Sequence, residues 1–118
     1  MLTLPASVRV FAALGATDMR KSFNTLAEAT RVVIGEDPLS GHFFVFCNAA
    51  HNRLKILYFE RGGFWLVARR LEQGTFAWPK DVSNSSRKLE LSAEDLMLLL
   101  GGLDPSRYVR RAWYERAK

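Results

Sequence analysis

Three runs of apolar, aromatic and β-branched residues in the middle of the chain constrain its fold most strongly. They cover residues 42–47, 53–60 and 64–71, and the segments 48–52 and 61–63 between them supply turn residues. Apolar side chains occupy neighbouring positions within each run, so both faces of the resulting sheet are apolar near their middles. Such a sheet must be covered on both faces.

Two elements are predicted before these strands. Residues 8–12 form a short β-like run, and a helix is predicted from Thr17, as its N-cap, to Gly35. The apolar stripe of this helix recurs at steps of three and four: Met19, Phe23, Leu26, Thr30 and Val33. The helix would cover one face of the sheet, and the other face needs a second element or a partner.

Three further elements are predicted after the strands. Residues 75–78 are expected to form a short fourth strand ended by Pro79, which would confine it to a sheet edge. Residues 87–91 form another short strand, and Ser92 with Asp95 resembles a capping box at the start of a short helix. The predicted fold is therefore α+β, an antiparallel β-meander of about four to six strands with an N-terminal helix packed on it and a short C-terminal helix.

The length of 118 residues fits one domain, predicted to span residues 1–104 and to be followed by a basic tail at 105–118. Most of the formal net charge of +5 lies in that tail, which carries Arg107, Arg110, Arg111, Arg116 and Lys118 against Glu115. A basic tail favours a polyanion such as nucleic acid, or an acidic partner protein. A solvated tail that only keeps the protein soluble is the equal alternative.

The predicted location is the cytoplasm, by elimination. Cys47 is the only cysteine, so no internal disulfide forms, and its apolar surroundings indicate a small buried hydrophobe. The N-terminus lacks the basic and long apolar regions of a signal peptide. No apolar run reaches the roughly 20 residues that a membrane-spanning helix needs.

The sequence carries no recognised catalytic motif. Neither histidine, His42 or His51, has a metal-ligand spacing with Cys47 or a carboxylate, and both are interpreted as turn or surface residues. We therefore predict no enzyme activity, no metal and no cofactor. The less favoured alternative is a cryptic metal-dependent nuclease, whose candidate carboxylates are Asp18, Glu60, Glu72, Asp81 and Asp104.

The binding signal comes from basic residues. In the predicted strands they alternate with aromatic residues, a pattern that can hold phosphates and stack bases, although an ordinary core sheet with charges at its strand ends gives the same pattern. Arg20 and Lys21 lie at the predicted helix start, where their positive charge opposes the helix dipole. A pair placed against local stability indicates a functional role. The predicted nucleic-acid or partner-binding residues are Arg20, Lys21, Arg53, Lys55, Arg69, Arg70, Arg107, Arg110 and Arg111.

Several segments, taken in order, resemble a bacterial family. They are Thr17–Phe23, Pro38–Phe46, Arg53–Tyr58, Gly63–Leu66, Arg69–Pro79 and Leu96–Asp104. Their order and spacing are similar to those of the small TnpB-type accessory proteins, encoded by the second reading frame of insertion-sequence-sixty-six elements. Ser22 stands where glycine is expected, and Arg69 stands where lysine is usual. Both replacements are chemically similar, since serine is also small and arginine is also basic. The resemblance covers about residues 4–104 and leaves the tail outside.

The resemblance implies an accessory role in transposition, beside a separate, larger protein that carries the acidic catalytic residues. It supplies no catalytic residue for this chain. The implied partners are the transposase of the same element, the DNA of the element ends, or both. A structural module that forms a homodimer through the second sheet face, without DNA contact, is a further alternative.

Overall fold

One five-stranded sheet with two helices forms the fold. The structure, a computed structural model, describes residues 5–79 and 87–101. The helices are α1, Phe23–Ala29, which a π-helical turn at Thr30–Ile34 continues, and α2, Ala93–Gly101. The strands, in the sheet order β4-β3-β2-β1-β5, are β1 Val10–Ala13, β2 Phe43–Cys47, β3 Arg53–Glu60, β4 Gly63–Arg70 and β5 Lys88–Leu91. The predicted α+β class is confirmed.

The sheet combines the predicted meander with one parallel pair. Strands β2, β3 and β4 pair antiparallel in chain order, and Arg61 and Gly62 make the tight β3–β4 turn with φ of 50° and 81°. Two positive φ values are what a hairpin with a two-residue turn favours. Strand β1 instead pairs parallel with β2, because α1 lies between them in the chain and provides the crossover. The strand patterns did not reveal this parallel pair.

Helix α1 begins later than predicted. Its N-cap is Ser22, whose backbone N–H donates to Thr25 Oγ1 at 2.8 Å. Thr17, the predicted N-cap, instead donates its N–H to the carbonyl at the end of β2, at 2.8 Å. Arg20 and Lys21 therefore precede the helix, and the cost inferred from placing them in its first turn does not apply.

The buried face of the first helix differs from the predicted stripe at two positions. Leu26 and Thr30 are buried as predicted, but Phe23 and Val33 are 44% and 38% exposed. Ile34 is buried in place of Val33. The reason for the change from Val33 to Ile34 is the π-helical turn, whose hydrogen bonds reach one residue further than in an α-helix and rotate the side chains within it.

Separate layers cover the two faces of the sheet. The α1 face packs Phe11, Phe44, Phe46 and Leu57 against helix residues Leu26, Ala27 and Ile34. The α2 face packs Val45, Leu54 and Ile56 against Phe76, Trp78, Leu96 and Leu99. The second covering element that the sequence required is thus supplied by the chain itself over the centre of this face.

Residues 75–78 do not form the predicted fourth strand. The N–H of Phe76 donates to the His51 carbonyl at 2.7 Å, and that of Trp78 donates to the Phe76 carbonyl at 2.9 Å. Both aromatic side chains are buried on the α2 face. Their alternation therefore reflects a segment that lies over the sheet, not a strand at its edge.

The C-terminal elements agree with the sequence. Strand β5 falls within the predicted 87–91, and helix α2 starts with the expected capping box. There the Asp95 N–H donates to Ser92 Oγ at 3.0 Å, and the Ser92 N–H donates to Asp95 Oδ2 at 3.2 Å. The predicted end of this helix at Gly101–Gly102 reaches the limit of the described residues.

We expect Phe76→Ala to destabilise the protein by about 3 kcal/mol or more, because the ring is buried and its loss leaves a cavity on the α2 face. Urea unfolding followed by circular dichroism measures this change. Thr75→Ala, at the exposed neighbouring position, is the control and should change the free energy of unfolding by less than about 0.5 kcal/mol. Equal effects of the two substitutions would contradict the buried position of Phe76.

Candidate functional site

The topology gathers basic side chains at one end of the sheet. Strands β1, β2 and β4 end there, and strands β3 and β5 begin there. The turn before α1 lies against the same end through hydrogen bonds to Lys55. The cations at or beside these strand ends form a set that we call the basic end: Arg20, Lys21, Arg53, Lys55, Arg69, Arg70 and Arg87.

Every predicted binding residue within the described part of the chain belongs to the basic end. Arg107, Arg110 and Arg111 lie outside the described residues. Sequence reasoning missed Arg87, whose carbonyl accepts the Leu14 N–H at 2.9 Å beside the end of β1. The missing signal was the pairing of β5 with β1, which no local pattern encodes.

Lys55 fastens the turn before α1 to the sheet. Its ammonium group donates to the carbonyl oxygens of Met19 at 2.8 Å and Lys21 at 2.7 Å. Two of its three donors are therefore engaged within the chain. This lysine positions the cations of the turn.

Two cations of the basic end form exposed ion pairs. Arg20 donates to Asp18 at 2.7 Å, and these hydrogen bonds hold the pKa of the Asp18 carboxyl at about 2. Arg70 donates to Glu72 at 2.9 Å. Asp18 therefore stays ionised across the physiological range, and each pair is close to neutral there.

Arg53 is an available arginine at the centre of the basic end. Its side chain is exposed, and its guanidinium makes no hydrogen bond or ion pair with any residue in 5–79 or 87–101. It lines an open groove between the turn at residues 16–20 and the turn at 48–50. It also stands directly across from Arg70 in the β3–β4 ladder, where like charges repel.

Arg69 points to the opposite face of the sheet from Arg70, as alternation along a strand predicts. Its guanidinium donates to the Leu100 carbonyl in the last turn of α2. A cation in that position stabilises the negative end of the helix dipole. Helix α2 therefore ends beside the basic end.

Aromatic residues lie away from these cations. Tyr58, Phe59, Phe64 and Trp65 flank the β3–β4 turn, about 17 Å along β3 from Arg53. The alternation of basic and aromatic residues therefore does not build a mixed surface for phosphates and bases. Phe43, Phe44 and Phe46 are buried in the core of the sheet.

The candidate carboxylates do not converge in the described part of the chain. Asp18 and Glu72 pair with arginines, whereas Glu60 lies at the far end of β3 and accepts a hydrogen bond from Trp65 Nε1 at 3.3 Å. Asp81 and Asp104 lie outside the described residues. Within residues 5–79 and 87–101, no cluster of three or more His, Cys, Asp or Glu side chains is placed to hold a metal ion.

Both histidines have structural contacts. His42 Nδ1 accepts the Arg9 N–H at 3.0 Å, and its ring packs edge-on against Phe11. His51 occupies the β2–β3 turn with a φ of 58°.

Among the described residues, no helix has the length and hydropathy to cross a membrane.

We expect Cys47 to be nearly inert in the folded protein. It is completely buried, and burial raises its pKa to about 12, so almost no thiolate exists at neutral pH. Alkylation by iodoacetamide near pH 8 should be about a thousandfold slower in buffer than in urea, as mass spectrometry can measure. Equal rates in both conditions would contradict the burial of this thiol.

We expect Lys55→Met to destabilise the protein by about 1–3 kcal/mol, because two carbonyl oxygens lose a charged donor. Hydrogen exchange of the amides in residues 17–22 should also accelerate. Lys21→Met removes an exposed cation from the same turn and is the matched control, with a small effect on both measurements. Unchanged exchange in Lys55→Met would refute the fastening role.

Comparisons with known proteins identify relatives along nearly the whole chain. A family model described as IS66 Orf2 like protein matches residues 8–110, and so extends past the predicted boundary at residue 104. Two curated relatives come from Sinorhizobium fredii (strain NBRC 101917 / NGR234). "Uncharacterized protein y4hO" is 35% identical over 96% of this chain and 95% of its own length. "Uncharacterized protein y4jC" is 31% identical over 88% and 86%, and no solved structure matches.

Proposed function

Because the chain belongs to the family of IS66 Orf2-like proteins, we propose that it is a non-catalytic accessory protein of insertion-sequence transposition that binds the element's DNA through the basic end. The observation that carries the proposal is the exposed Arg53, whose guanidinium has no partner among residues 5–79 and 87–101 and which lies beside further cations gathered from separate strands. In the part of the chain that the structure describes, Asp18 and Glu72 are the carboxylates paired with these cations, so the basic end keeps an excess of positive charge there.

Phosphate groups are the DNA chemistry that this surface fits. The cations of the basic end lie on both faces of the sheet and in a neighbouring turn, so they present charge over a broad area and not in a single pocket. The ion pairs of Arg20 and Arg70 are exposed and therefore weak, so a phosphate can replace either carboxylate at small cost. Contacts of this kind give affinity and register with little base selectivity.

The basic tail can add to this surface. Helix α2 ends beside Arg69, and the tail follows within a few residues. Even fully extended, the six residues that follow Gly101, up to Arg107, span at most about 21 Å. The tail arginines Arg107, Arg110 and Arg111 therefore belong to the same proposal. The family match reaches the first two of them.

Fluorescence anisotropy with a labelled duplex from the element end tests the proposal. We expect binding that weakens steeply with salt, as phosphate contacts require. Arg53→Gln should lower the affinity several-fold and reduce the salt slope by about 1. Arg61→Gln is the matched control, since Arg61 is also exposed but lies about 25 Å away at the other end of β3, and it should bind like the wild type.

Absence of binding at low salt would rule out direct DNA contact, and equal losses in the two variants would rule out the basic end as its site. The transposase of the same element is the second candidate partner, because an acidic protein surface would fit the same cations. Co-purification with the tagged transposase, without DNA, tests it. Transposase capture that Arg53→Gln reduces and Arg61→Gln retains would favour that partner.

A further inference from the structure

The two edges of the sheet are built differently. Strand β5 has four residues, and its Lys88 and Glu90 are held in ion pairs. Short strands with charged residues protect an edge from pairing with another chain. Strand β4 has eight residues, contains no proline and pairs with β3 without a bulge from Gly63 to Arg70. Among the described strands, only β3 lies beside it, so its outer edge carries the longer row of unpaired main-chain groups.

The hydrogen-bond pattern determines which residues of β4 face outward. The two-residue β3–β4 turn makes Glu60 and Gly63 a hydrogen-bonded pair, and the Leu71 N–H donates to the Asn52 carbonyl at 2.8 Å. Odd-numbered residues of β4 therefore direct their main-chain groups toward β3. The outward N–H and C=O groups belong to Phe64, Leu66, Ala68 and Arg70.

We propose that β4 pairs antiparallel with β4 of a second copy of this chain, with the twofold axis at Val67, to form a continuous ten-stranded sheet. In this register Val67 faces its own equivalent, and Leu66 pairs with Ala68 of the second copy. The pairs 66–68 and 64–70 join residues whose main-chain groups face outward, so they satisfy the free edge of both copies. This dimer uses an edge of the sheet, whereas the chain itself covers the centre of both faces.

The side chains favour this register over those centred on an arginine. With the axis at Val67, Arg69 stands across from Trp65 of the second copy, and Arg70 stands across from Phe64 of the second copy. Each guanidinium thus meets an aromatic ring on its own face of the sheet, which is an attractive arrangement. With the axis at Arg69 or Arg70, an arginine would face its own equivalent, and like charges directly opposite destabilise a pair.

Trp65 is exposed and held in one orientation, which favours such a contact. It is 54% exposed, although it is the largest side chain of β4. Its ring stacks on Tyr58 with centroids 6.3 Å apart, and Tyr58 stacks on the buried Phe43 at 4.3 Å. The hydrogen bond from Nε1 to Glu60 further fixes the ring. A large aromatic surface held in one orientation loses little conformational entropy when a partner covers it.

Light scattering during size exclusion tests the dimer without DNA. We expect the wild-type chain to have twice the mass of one copy at high concentration and to dissociate on dilution over about a hundredfold range. Ala68→Pro removes an outward N–H and spares the β3–β4 ladder, so it should give a folded monomer. Ala68→Val keeps the N–H and should remain dimeric. A monomeric wild type at all concentrations overturns the proposal, as does a dimeric Ala68→Pro.

Cysteine crosslinking tests the register and does not depend on the proline variant. In a Cys47→Ser background, Val67→Cys should form an intermolecular disulfide on mild oxidation, because Cα atoms of such a non-hydrogen-bonded pair lie about 4.5 Å apart. Leu66→Cys, whose equivalents lie out of register, should crosslink at least tenfold more slowly. Equal rates, or faster crosslinking of Leu66→Cys, overturn this register.

Dimer formation and DNA binding can be tested independently with different variants. Arg53→Gln lies on β3, outside the proposed interface, and should keep the mass of a dimer. A monomeric Arg53→Gln contradicts the edge pairing described here. Ala68→Pro, in turn, keeps every cation of the basic end. Its DNA affinity as a monomer then shows the strength of one basic end alone.

Discussion

A sheet that is apolar on both faces is the constraint on which the other features depend. Burying each face requires a covering layer, and a chain of this length supplies two: α1 on one side, and α2 with Phe76 and Trp78 on the other. The two layers bury the apolar centre of the sheet, and the exposed Trp65 lies on the outer strand β4. The surfaces available to partners are therefore the ends and edges of the sheet. Charged side chains lie at the ends, and unpaired main-chain groups lie along the outer edge of β4.

The parallel β1–β2 pair brings the basic residues together. Because β1 runs alongside β2, its carboxyl end and the start of β5 fall at the same end of the sheet as the start of β3 and the close of β4. Cations that are far apart in the sequence, such as Arg20, Arg53 and Arg87, therefore share one surface. Lys55 contributes by holding the turn of Arg20 in place.

Turn residues, capping residues and apolar patterns in the sequence predicted most of the helices and strands. They did not predict how these helices and strands pack and pair. The β3–β4 turn and the capping box at Ser92 each depend on neighbouring residues, and both were predicted correctly. The errors came from tertiary contacts: Phe76 and Trp78 alternate like a strand but cover a face. The six described cations of the candidate site were predicted as residues, whereas their assembly depends on strand pairing that no local pattern encodes.

The pairing of β1 with β5 has a consequence for how the chain folds. Val10 and Leu91 are direct neighbours in the sheet, although nearly the whole described chain separates them in sequence. Closing so long a loop is entropically unfavourable until other contacts have shortened it. The hairpins of β2, β3 and β4 involve only local contacts and can form early. We therefore expect the β5 side of the sheet, which carries Arg87, to be completed last, when the C-terminal part of the chain docks onto a preformed meander.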